Sequence, residues 1–111
     1  MKGLKNSIKF CYRYRDYANY KKYNEVVFPN PNNRPIEELN QFIKEHLFED
    51  KLFYTVEWEL PDLHFDDLDP DLDHFVHEFD SVEETNDAIT SAITIDQFLL
   101  IILKARNHWI L

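Results

Sequence analysis

Hydrophobic and polar residues alternate from Ile8 to Arg15. Ile8, Phe10, Tyr12 and Tyr14 fall on one side, and Lys9, Cys11, Arg13 and Arg15 on the other. Period two predicts a half-buried strand with an aromatic inner face and a basic outer face. Tyr17, Tyr20 and Tyr23, with Lys21 and Lys22 among them, read as a connection. Glu25 to Phe28 reads as a short second strand ended by Pro29. The turn-rich PNPNNRP follows and leads into a helix. Pro35 in the first turn, with Glu37 and Glu38 behind it, suits a helix N-terminus. Ile36, Leu39, Ile43 and Leu47 then mark one face, to about Phe48.

Leu52, Tyr54, Val56, Trp58 and Leu60 alternate with Phe53, Thr55, Glu57 and Glu59, which predicts a strand closed by Pro61. Leu68, Leu72, Phe75, Val76 and Phe79 fall instead at helical spacing. With Asp69 as N-cap and Pro70 at the first position, they predict a short helix from about Pro70 to Asp80. Ser81 to Thr94 is ambiguous: Ile89, Ile93 and Ile95 suit a further strand. Thr94 with Gln97 matches a capping box, and a final helix is expected from Ile95 to about Trp109. These elements sum to a single α+β domain over 1–111. It would have a small antiparallel sheet of three or four strands, with about three helices packed on one face.

Charge changes the picture most. Between Leu52 and Leu103 there are 14 acidic residues and no Lys or Arg, whereas Met1 to Asn24 holds seven Lys or Arg and one acidic residue, Asp16. The net charge of −9 opposes broad phosphate-backbone binding and anionic membrane surfaces. At 111 residues with 15 % aromatics, the chain is large enough for a core and is no disordered acidic tail. One glycine excludes glycine-rich phosphate loops, and one cysteine, Cys11, excludes an internal disulfide and fits a reducing cytoplasm. MKGLKNSIKF lacks an apolar run of signal-peptide length, and the longest apolar stretch, Phe98 to Leu103, is too short to span a bilayer.

Several constellations are chemically competent. On the expected acidic helix, Asp73 and His77 are four apart, as are His74 and Glu78, with His64 able to reach in from the preceding loop. Imidazoles flanked by carboxylates can bind a divalent metal. The competing reading is a solvated polar face, since no HExxH or zinc-finger spacing accompanies them. Asp67, Asp69, Asp71, Asp73 and Glu78 also fall near calcium-loop spacing, but Leu72 stands where the turn glycine is required. The tyrosines and cations of the front suit single-stranded nucleic acid, except that Tyr12 and Tyr14 share the core side of their strand. Lys9, Arg13 and Arg15 are better placed to pair with Glu57 and Glu59, if those strands are neighbours. Cys11 has cations nearby that would lower its pKa. A single cysteine is nevertheless more often inert.

Three functional readings follow. The first is a non-enzymatic acidic module that binds a basic protein partner and neutralises it, as immunity proteins and nucleic-acid mimics do. Its negative surface would comprise Asp62, Asp66, Asp67, Asp69, Asp71, Asp73, Glu78, Asp80, Glu83 and Glu84. The second is a metal-binding domain or metal-dependent hydrolase using His64, Asp73, His74, His77 and Glu78. The third is a binder of a small anionic ligand through the tyrosine-rich basic front. The apolar tip Trp109, Ile110 and Leu111 and the last helix are also candidates for a homodimer interface.

Overall fold

The structure is a computed structural model that describes residues 7–16, 18–63 and 76–110, with side chains of 106–110 outside the description. In chain order the elements are β1 (Ser7–Arg15), β2 (Lys21–Pro29), α1 (Ile36–Glu45), β3 (Leu52–Tyr54), α2 (Thr55–Trp58), β4 (Val76–Thr85) and α3 (Ile95–Ile110). The strands form one antiparallel sheet in the order β2-β1-β4-β3, and the fold is α+β. No helix among the described residues is long and apolar enough to cross a membrane.

β1 behaves as its alternation predicts. Ile8, Phe10, Tyr12 and Tyr14 are fully buried, and the ring of Phe10 contacts those of Tyr12, Phe53, Trp58, Phe79 and Phe98. Leu39 and Ile43 of α1, Trp58 of α2 and Ile95, Phe98 and Ile102 of α3 close the same core. The helices therefore cover one face of the sheet, and the basic face of β1 is left to polar side chains. β2 starts earlier than expected, at Lys21, because the antiparallel ladder with β1 extends to Arg15↔Lys21. Beyond β4 the chain runs along the edge of β2. Thr90 Oγ1 accepts the Val27 N–H at 2.9 Å, and Thr90 and Ser91 N–H donate to Val27 O. No further strand forms at Ile89 to Ile95. The capping box does form: Thr94 N–H donates to Gln97 Oε1 at 2.8 Å and Gln97 N–H to Thr94 Oγ1 at 3.2 Å.

Two expectations are corrected. The predicted strand Leu52 to Leu60 is a strand only to Tyr54, after which the chain turns into the one-turn helix α2. Phe53, Thr55, Trp58 and Leu60 point inward, and Val56 is 82 % exposed. The turn lets Trp58 stack on Phe53, with ring centroids 4.5 Å apart, and Glu59 ends it in the left-handed region at φ 56°. That burial outweighs the few strand hydrogen bonds forgone.

The predicted helix ending at Asp80 is overturned over its C-terminal part: Val76–Thr85 is a strand between β1 and β3, while 64–75 lie outside the described residues. β4 completes the ladder that β1 otherwise lacks on that side. Tyr12 pairs with Phe79 and Cys11 with Ser81, so Asp80 is an extra residue in a β-bulge. The bulge lengthens the inward spacing from Phe79 to Val82 to three.

Candidate functional site

The bare face of the sheet is a network of charges built by register. Arg13 pairs with Glu78 across β1 and β4, and Arg15 is two residues along on the same face. The Glu78 carboxylate accepts Arg13 Nε at 2.7 Å, Arg15 Nε at 3.0 Å and Arg15 Nη2 at 3.1 Å. Arg13 Nη1 also donates to Asp80 Oδ1 at 3.2 Å. The Glu78 side chain is only 9 % exposed, and the two guanidiniums, Arg15 foremost, hold its pKa down to about 2. Lys9 lies between Asp87 at 2.6 Å and Glu25 at 3.2 Å, which raises its pKa and lowers that of Asp87. At the start of α3, Asp96 accepts from Arg34 Nε and Asn32, so Arg34 is raised as well. These partners replace the expected ones: β1 never neighbours Glu57 or Glu59, because β4 intervenes.

The inner face carries a different group. His77 is fully buried, with its ring centroid 5.1 Å from that of Tyr14 and 6.0 Å from that of Tyr12. Its Nε2 accepts the Leu63 N–H at 3.0 Å, which requires an unprotonated nitrogen, and Asp62 Oδ1 lies 3.4 Å away. Tyr12 OH donates to Pro61 O at 2.7 Å and accepts from Asn24 Nδ2 at 3.1 Å. The chain 61–63 is thus pinned to the sheet just before the acidic segment.

The expected sites divide accordingly. His77 and Glu78 project to opposite faces of β4, so the shared helix surface drawn for His74 with Glu78 and Asp73 with His77 does not exist. His64, Asp73 and His74 lie outside the described residues, as do Asp66, Asp67, Asp69 and Asp71. Among the expected partner-binding residues, Glu78 and Asp80 are occupied by arginines, whereas Asp62, Glu83 and Glu84 are exposed. Cys11 lies half-buried on the charged face. Burial, with Glu25 and Glu83 adding to it, pushes its thiol up, overcoming the hydrogen bond to Ser81 and the nearby Lys9. That opposes the activation expected from the cations. On α3, Leu100 and Leu103 are exposed; the side chains of Trp109 and Ile110, and Leu111, lie outside the description.

A concavity lies between the end of α1, the β3–α2 corner and α3. Its volume is about 460 Å³ and Phe48, Tyr54 and Trp58 are among its walls. Its sequence signal is the aromatic density of Leu52 to Leu60, which supplies Phe53, Tyr54 and Trp58 to the walls.

No family model, curated protein or solved structure matches this chain.

Proposed function

We propose that this protein is a non-enzymatic interaction module that binds and neutralises a basic protein partner. The observation that carries the reading is the commitment of Lys9, Arg13, Arg15 and Arg34 to carboxylates of the same fold. Each such pair is close to neutral from outside, so these cations are not a basic surface, and the net charge of −9 is the surplus of carboxylates over all the cations of the chain. Exposed carboxylates flank the acidic segment: Glu59 and Asp62 before it, Glu83 and Glu84 after it. A negative surface held by a sheet speeds encounter with a positive one and rejects acidic competitors. The exposed apolar side chains Val56, Leu100 and Leu103 supply anchors that charge alone does not.

The test is co-purification of partners on the immobilised protein at low and high salt. It compares the wild type with a variant in which Asp62, Asp66, Asp67, Asp69, Asp71 and Asp73 become Asn and Glu83 and Glu84 become Gln. A basic protein held by the wild type, released by salt and lost from the variant is the expected result. Equal retention by both proteins would remove the electrostatic basis of the proposal.

A further inference from the structure

The cavity between α1, α2, β3 and α3 has the size and lining of a small-ligand site. Its volume of about 460 Å³ falls within the range of small-molecule pockets. Its walls hold two aromatic pairs: Phe48 stacked on Tyr54, with centroids 5.4 Å apart, and Phe53 stacked on Trp58 at 4.5 Å. Ile102 and Ala105 bring the apolar side of α3 to the same space. Aromatic faces carry negative quadrupole potential, which attracts a cation as well as an apolar body.

The polar groups point to the same ligand sign. Glu45 and Glu57 line the cavity, and no Lys or Arg stands among its described lining residues. The third polar group is His46. Its Nδ1 lies 2.7 Å from the Phe42 carbonyl oxygen, which can only accept, so Nδ1 carries the proton. In the neutral ring that leaves Nε2 an acceptor, and this atom is buried without a hydrogen-bond partner. Two carboxylates, a bare imidazole nitrogen and aromatic faces all favour a donor that carries positive charge. An organic anion would meet the same groups as repulsion.

We propose that this cavity binds a small organic cation: a primary amine attached to an aromatic or aliphatic body. The ring or chain lies among Phe48, Tyr54 and Trp58, and the ammonium is directed to Glu45 and Glu57. This site is independent of the protein-binding surface proposed above.

Calorimetric titration with three probes that share a phenethyl body tests it: phenethylamine, 2-phenylethanol and 3-phenylpropionate. The amine binds about tenfold or more tightly than the acid, with the alcohol between them. Chemical-shift changes on binding centre on the Trp58 indole and the Ala105 methyl. Glu45→Gln weakens the amine several-fold and leaves the alcohol unchanged, which separates lost charge from lost folding, because Glu45 is exposed. Ala105→Trp fills the cavity and abolishes binding of all three. Glu83→Gln, on the opposite face of the sheet, changes nothing. No binding of the amine at millimolar concentration, equal binding of amine and acid, or shift changes remote from Trp58 would each overturn the proposal.

Discussion

Replacing Glu78 by Gln removes a carboxylate that two arginines share, and its cost can be worked from the structure. The folded-state pKa of Glu78 falls from 4.5 to about 2. Each unit corresponds to about 1.4 kcal/mol between protonation states, so the pairing contributes about 3 kcal/mol at neutral pH. Arg13 and Arg15 remain 23 % and 32 % exposed and keep water, which trims the expected loss to about 2–3 kcal/mol. For a domain of roughly this size that lowers Tm by roughly 10–20 °C. The sign with pH follows from the lowered value. The unfolded chain takes up the proton first as pH falls, so the contribution is complete above the unfolded pKa and is lost as pH falls towards 2. Other carboxylates titrate alike in both proteins, so the gap between wild type and Glu78→Gln isolates this group. Urea denaturation at pH 7, 5, 4 and 3 should give the full gap at pH 7 and about half of it at pH 3. Equal stability at pH 7, or a gap that stays constant down to pH 3, would refute the reasoning.

Other consequences are simpler to test. Tyr12→Phe removes the hydroxyl that links Asn24 to Pro61 O and should cost about 1–2 kcal/mol in urea denaturation, without loss of the sheet signal in circular dichroism. Thr94→Ala opens the capping box of α3 and should cost about 1 kcal/mol, measured by thermal unfolding. Cys11, its thiol pushed up by burial and by Glu25 and Glu83, should react with a disulfide reagent at neutral pH much more slowly in the folded protein than in urea. Equal rates would show that the thiolate is freely formed.

The elements most legible in the sequence were those whose pattern is local. β1 alternates cleanly because it is a central strand with one face in the core. α3 announces itself by the Thr94–Gln97 box, a contact across three residues. α1 shows its acidic first turn and its Leu39–Ile43 spacing. The segment Leu52 to Leu60 also alternates, yet Trp58 gains more by stacking on Phe53 than by continuing a ladder with β4. Around β4 the spacing of Phe75, Val76 and Phe79 suits a helix, yet His77 and Phe79 are buried while Glu78 between them meets Arg13 on the other face, the alternation of a strand. The difference decides the site, because His77 and Glu78 would share a helix surface but straddle a strand.

By itself, then, the sequence determined the α+β class, the aromatic inner face of β1, the limits of the capped final helix and the polarity of the charge split. These rest on periodicity, end signals and composition, all of which are written along the chain. The tertiary structure alone decided which carboxylates the cations meet, which face of β4 is buried and where the aromatic cavity opens. Those depend on β4 lying between β1 and β3, a pairing fixed by contacts such as Arg13 to Glu78, 65 residues apart. Local spacing cannot encode a partner at that distance, because the free energy that selects it exists only once both strands share a sheet.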